Sequence, residues 1–108
     1  MWTITYYSER IQRDILNLPS GLLARYLHYA DLWVEFGPNL GMPHSRAMGD
    51  GLFELRLKSK EGIGRVFYCT VVSQRVIVLH AFIKKSQKTP KKELETARRR
   101  MREVKGKS

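Results

Sequence analysis

Apolar and polar positions change period several times along the chain. Residues 2–7, WTITYY, alternate and are rich in β-branched and aromatic side chains, which predicts a strand. Ser8 is placed to cap a helix over 9–18, where Ile11, Ile15 and Leu18 recur at helical spacing. Pro19 and Ser20 open a second helix, and Leu22, Leu23, Tyr26, Leu27, Ala30, Trp33 and Val34 give it a wide apolar face. Gly37–Pro38 stops it. His28 and Tyr29 read as ordinary surface or boundary residues on or beside this helix.

Residues 38–51, PNLGMPHSRAMGDG, carry two prolines and three glycines and read as a loop. Three strand-like runs follow, over 52–58, 63–72 and 76–83. Lys60–Glu61 and Ser73–Gln74 separate them, each short enough for a hairpin. Thr89–Pro90 opens a last helix with Leu94, Ala97, Met101 and Val104 along one face and basic residues on the others. The closing KGKS, 105–108, reads as frayed. The predicted order is β-α-α-β-β-β-α in a single domain over 1–108. We expect an α+β fold: a small antiparallel sheet with an N-terminal helical hairpin and a C-terminal helix.

The hairpins also predict a register. If Lys60–Glu61 is a two-residue loop, Arg56 lies opposite Arg65 and Glu54 opposite Phe67. If Ser73–Gln74 is another, Arg65 lies opposite Phe82, Phe67 opposite His80 and Ile63 opposite Lys84. One face then collects Glu54, Arg56, Lys58, Arg65, Phe67, His80, Phe82 and Lys84. The other collects Phe53, Leu55, Leu57, Val66, Tyr68, Val72, Leu79, Ala81 and Ile83, an apolar set fit to lie under helices. A slip of one residue would scramble this sorting, which favours the register. Two arginines directly across a ladder repel. Either Glu54 bridges them, or solvent screens them, or they await an anion.

Charge sharpens the picture. The chain carries a net +10, and the excess is uneven: residues 1–55 hold four basic groups against six acidic, and 56–108 hold sixteen against four. A half that basic suits a polyanion partner. Arg56, Arg65 and Lys84 supply charge for phosphates, while Phe67 and Phe82 offer ring faces for bases, a combination suited to single-stranded nucleic acid. The paired guanidiniums also suit the charge that develops in a phosphoryl transition state.

Other chemistries find less support. His28, His44, His80 and Cys69 have no metal-ligand spacing, so neither metal nor cofactor is expected. A Cys69–His80 nucleophilic pair is disfavoured, since in this register Cys69 faces Val78 and a buried free cysteine is usually packing. The single cysteine fits a reducing compartment, no apolar run is long enough to span a bilayer, and MWTITYYSER lacks the pattern of a signal peptide. A cytoplasmic location without membrane association is the expectation.

The runs LFELR, GIGRVFY and VIVLHAFIKKSQKTPKKELETARRR together resemble the phage Gp49-like branch of the HigB toxins, within the RelE/ParE superfamily of type II toxin–antitoxin systems. The motif from ELR through FIKK-x-x-K-T-P to the helical A-x-x-R carries the resemblance, which extends over nearly the whole chain. It implies an endoribonuclease that cuts mRNA on the ribosome without a metal, the ribose 2′-hydroxyl attacking the neighbouring phosphate. It also implies a cognate helix-turn-helix antitoxin as partner, operator DNA being reached only through that complex.

Carried over by position, the resemblance gives Arg56 and Arg65 to phosphate and transition-state stabilisation. It places Lys84 and Lys85 at the basic end of the last strand. Lys58 and Lys88 join the RNA-binding set, with Phe67 and Phe82 as stacking faces. Proton transfer is the open point, because RelE-type toxins carry a tyrosine in the C-terminal segment and this chain has none after Tyr68. His80, Glu54 and a lysine of lowered pKa are the alternatives. Two rival functions remain at this stage: a ParE-like inhibitor of a protein such as gyrase, and an RNA-binding protein that cuts nothing.

Overall fold

The structure, a computed structural model, describes residues 1–41, 43–71, 73–84 and 89–106. Along the chain run β1 (Thr3–Tyr6), α1 (Glu9–Leu16), α2 (Ser20–Phe36), β2 (Ser45–Gly49), β3 (Leu52–Ser59), β4 (Gly62–Val71), β5 (Arg75–Lys84) and α3 (Lys91–Gly106). The strands form one sheet in the order β1-β5-β4-β3-β2. β1 pairs with β5 in parallel, and the other neighbours are antiparallel. This is the expected α+β architecture.

Local chemistry sets the helix ends. The Ser8 hydroxyl accepts from the Ile11 N–H at 3.3 Å, satisfying one of the unpaired donors at the start of α1. Gly37 ends α2 at φ 91°, and its N–H donates to the Trp33 carbonyl at 2.9 Å. The Trp2 indole packs so closely there that a Cβ on Gly37 would lie 3.0 Å from its Nε1.

Two cores result, one on each side of the sheet. On one side Ile11, Ile15, Leu22, Tyr26, Tyr29 and Trp33 of α1 and α2 bury against Leu55, Leu57, Val66, Tyr68, Val76 and Val78. On the other, Ala97 and Met101 of α3 bury against Leu52, Phe67, Cys69, Ile77 and Leu79. Each large apolar side chain taken fully from water contributes about 1.5–3 kcal/mol. Among the described residues, no helix is long and apolar enough to cross a membrane.

Three features differ from the sequence-based expectation. First, the 38–51 segment is not all loop. Ser45–Gly49 forms the edge strand β2, pairing Ser45 with Leu55 and Ala47 with Phe53, with an irregularity before Gly49. Short edge strands with a bulge need little apolar sequence, because only one side of their backbone is paired.

Second, the β3–β4 register holds throughout, but β4–β5 slips. Phe67 pairs with His80 as expected, then Tyr68 pairs with Val78 and Cys69 with Ile77, leaving Leu79 as the extra residue of a bulge. The bulge turns Leu79 to the α3 side and sets Cys69 against Ile77 rather than Val78. The turn also differs: Val71 pairs with Arg75, so the connection is longer than Ser73–Gln74, and both of these residues have positive φ. Val72, expected in the apolar set, lies outside the described residues.

Third, the arginine-bearing face is not open. α3 covers its upper half, so Phe67 is fully buried there. The apolar stripe of α3 and the face that it buries supply the physical reason. The helix runs to Gly106 and takes in Lys105, whose ammonium donates to the Asp50 carbonyl at 3.2 Å.

Candidate functional site

The β3–β4 hairpin places Arg56 directly opposite Arg65, and β5 adds Phe82 beside Arg65 and Lys84 beside Ile63. Glu54, one pleat up the strand on the same face, is buried and sits between the arginines. Its Oε1 lies 3.8 Å from the Nε of each. That is an ion-pair distance but too long for a hydrogen bond. The other oxygen, Oε2, accepts from the Thr89 hydroxyl at 2.8 Å, tying the entrance to α3 to the base of the site. Glu54 therefore does bridge the two arginines electrostatically, while leaving their donors open.

Those donors are unusual. The Nε atoms of Arg56 and Arg65 are both buried and have no hydrogen-bond partner among the described residues. Arg65 is only 8% exposed, and its NH1 donates to the Gly64 carbonyl at 3.0 Å. Burial lowers the Arg65 pKa, Glu54 acts against that, and Arg56 adds to it. Buried polar groups without partners are costly, about 1–3 kcal/mol each. The anion nearest to both Nε atoms is the Glu54 carboxylate, held just beyond hydrogen-bond reach.

Beside the pair opens a cleft of about 490 Å³, lined by Arg25, Tyr29, Pro43, His44, Arg56, Lys58, Ile63 and Arg65. It lies where β2 begins, so β3 beyond Arg56 forms one wall. The backbone marks this point: the Arg56 N–H donates to the His44 carbonyl at 2.9 Å. Lys84 borders the same region through its pairing with Ile63. Its ammonium has a lowered pKa, first from desolvation, then from the charges of Arg65 and Arg56, with Glu54 opposing. A lysine so placed is easier to deprotonate than a free one.

His80 and Phe67 sit elsewhere. Nε2 of His80 meets Glu93 Oε2 at 3.2 Å, and Nδ1 meets Arg100 NH1 at 3.2 Å. The Nδ1 contact needs an acceptor, so the neutral tautomer carries its proton on Nε2 and donates to Glu93. Both nitrogens are thus engaged in holding α3 to β5, and neither faces a ligand freely. Burial, ahead of the Arg100 charge, lowers the His80 pKa, with Glu93 opposing. Phe67, read in the sequence as a stacking face, is instead core. Its ring lies 5.9 Å from that of Phe82, which is only half-buried and remains accessible.

The cysteine reads differently as well. Cys69 is fully buried, and burial pushes its thiol up to about 11, so it is no nucleophile. Lys58 is exposed and lines the cleft. Lys85 and Lys88 lie outside the described residues.

Three cleft residues, Arg25, Tyr29 and His44, were not read as site residues from sequence, and Tyr29, read as a surface or boundary residue, is buried in the core. Arg25 and Tyr29 are four apart on α2 and so share a face. The Tyr29 hydroxyl meets Nδ1 of His44 at 3.0 Å, with the rings 5.3 Å apart. No local pattern links a helix residue to a loop histidine fifteen positions on. Thr89 was seen only as a helix opener, and its bond to Glu54 could not be read from spacing.

Residues 13–102 match the family model described as Phage derived protein Gp49-like (DUF891). A search of curated proteins finds no match.

Proposed function

The chain belongs to the Gp49-like family of phage-derived proteins, a RelE/toxin-like family, and we propose that it is the toxin of a type II toxin–antitoxin system, in the HigB-like branch, acting as an mRNA endoribonuclease on the ribosome. A cognate helix-turn-helix antitoxin would hold it inactive in the cytoplasm, and operator DNA would be met only through that complex.

The observation that carries this reading is the pair of guanidiniums, Arg56 and Arg65, opposed across the hairpin and both lining a cleft with Arg25 and Lys58. Two guanidiniums converging on one point fit a phosphodiester better than any neutral ligand. Their charge would stabilise the pentacovalent phosphorane as it forms. Lys84, with its lowered pKa, would take the proton of the attacking ribose 2′-hydroxyl. The 2′-oxygen bonds to phosphorus, the P–O5′ bond breaks, and a 2′,3′-cyclic phosphate remains. Lys58, in the cleft, and Phe82, paired with Arg65, would hold the backbone and a base, and Lys85 and Lys88 would be further RNA-binding residues.

The test is primer extension on cellular mRNAs after brief induction of the protein without its partner, beside Arg65→Ala and Lys84→Ala. New 5′ ends within reading frames, lost in both variants and when translation is blocked, are the expected result. Growth arrest with intact transcripts would overturn the nuclease reading and point to a ParE-like inhibitor of a protein target. Binding of RNA without cleavage would point to a non-catalytic RNA-binding protein.

A further inference from the structure

A nuclease of this kind needs two proton transfers, and Lys84 accounts for one. Departure of the 5′-oxygen needs a donor in the cleft, and a lysine that has just served as base is on the attacking side. The structure offers a group for the second transfer that the sequence did not. His44 stands at the mouth of β2, its carbonyl bonded to the Arg56 N–H at 2.9 Å, and its ring lines the same cleft as Arg56 and Arg65.

The environment of His44 suits this task. Its Nδ1 is held by the Tyr29 hydroxyl at 3.0 Å. A hydroxyl both donates and accepts, so it can bond the neutral ring by donating and the charged ring by accepting. A carboxylate in that place would accept only, and would hold the ring charged. Tyr29 is itself buried at 8% exposure in the α2 core, which fixes the position of its oxygen. With Nδ1 taken, Nε2 is the nitrogen left to meet a ligand. By contrast, His80 has both nitrogens engaged by Glu93 and Arg100.

Resting on the nuclease reading above, we propose that His44 is the general acid of the cleft, giving its Nε2 proton to the departing 5′-oxygen, with Tyr29 as the positioning residue that orients its ring. Protons and bonds balance: as the 2′-oxygen forms its bond to phosphorus and loses its proton to Lys84, the P–O5′ bond breaks and the 5′-oxygen takes the proton from His44.

The experiment uses the full chain and a short mRNA, free and seated in the ribosomal A site, in two versions. One has an ordinary linkage at the scissile position, and the other has sulfur replacing the 5′-bridging oxygen. A thiolate leaves without protonation, so the sulfur substrate bypasses the acid. His44→Asn keeps a hydrogen-bonding group toward Tyr29 but removes the ring Nε2 donor, and His44→Ala removes both.

Both variants are expected to cut the oxygen substrate about 10²–10⁴-fold more slowly than wild type, while cutting the sulfur substrate at nearly the wild-type rate. Arg65→Lys should be slow on both. Tyr29→Phe should lose roughly tenfold on the oxygen substrate, with the sulfur substrate unaffected, as expected of a positioning residue whose loss the ring partly tolerates. Normal cleavage of the oxygen substrate by the His44 variants, or equal loss on both substrates, would overturn the assignment and leave the nuclease reading standing. Cleavage of neither substrate by wild-type protein in either setting would overturn both.

Discussion

Arg56 and Arg65 face each other across β3 and β4 with one carboxylate oxygen, Glu54 Oε1, 3.8 Å from the Nε of each. Two positive groups and one negative leave the buried cluster with net positive charge. Removing the carboxylate charge while keeping its shape, in Glu54→Gln, should therefore destabilise the fold by about 3 kcal/mol, since breaking a buried ion pair strands the partners. The Thr89 hydroxyl keeps an amide acceptor in this variant, and the amide NH2 then faces the two arginines, adding donor against donor to the lost charge. Inorganic phosphate should raise the melting temperature of Glu54→Gln more than that of wild type, because an added anion replaces the missing one. Thermal melts across a phosphate series check this, and equal shifts in the two proteins would contradict an anion seat between the arginines.

Arg65 is expected to resist conservative exchange. Lysine keeps the charge but not the planar fork, which reaches Glu54 through Nε and the Gly64 carbonyl through NH1. Arg65→Lys should fold, because it retains a cation beside Glu54, and if the protein is the nuclease proposed above it should cut about 10²–10³-fold more slowly, as for loss of a transition-state donor. Single-turnover cleavage beside a thermal melt separates the two effects.

How far the sequence could be read is visible in these same residues. The opposition of Arg56 and Arg65 was legible because a tight Lys60–Glu61 turn fixes the register of a hairpin, and alternation confirms it. The β4–β5 hairpin defeated the same method, since a bulge at Leu79 leaves no mark in the composition of an apolar run. Burial of Phe67 was hidden for another reason. The final helix carries apolar residues on one stripe, but nothing local says which side of the sheet that stripe covers. The partnership of Tyr29 with His44 is wholly tertiary, joining α2 to the start of an edge strand that itself hides among glycines and prolines. Patterning thus reveals elements and hairpin partners, while the making of a cleft from distant elements depends on packing.

Lys84 offers a test by pH. Desolvation, then Arg65 and Arg56, lower its pKa, and Glu54 raises it. If neutral Lys84 takes the 2′-hydroxyl proton, cleavage should rise with pH along a limb that ends below the ~10.5 of free lysine. In Glu54→Gln the opposing charge is gone, so the limb should move to lower pH. Lys84→Arg should lose the limb and about 10²–10⁴-fold in rate, because a guanidinium stays protonated. Rate profiles measured well below each melting temperature decide this, and an unmoved limb in Glu54→Gln would remove Lys84 from the base role.

His80 makes the attachment of α3 sensitive to acid. Burial, the leading cause, lowers its pKa from 6.5, so the folded state prefers the neutral ring that donates to Glu93 and accepts from Arg100. The unfolded chain, with an ordinary imidazole, binds more protons as pH falls toward and below ~6.5, and stability rises with pH wherever that is so. The His80 contribution is therefore present above the unfolded pKa and is lost as pH drops through it to the lower folded value. A protonated ring would also lose its Nδ1 acceptor and repel Arg100, which bridges back to the Leu79 carbonyl at 2.8 Å and stacks on Tyr7. Wild-type protein should lose melting temperature from about pH 7 to pH 5 more steeply than His80→Gln, whose amide cannot titrate. Exchange of the amide protons of α3 should quicken in the same window, ahead of those in β3 and β4, because the helix is fastened to the sheet through this group. Equal acid sensitivity in the two proteins would show that the carboxylates, and not His80, govern release of the helix.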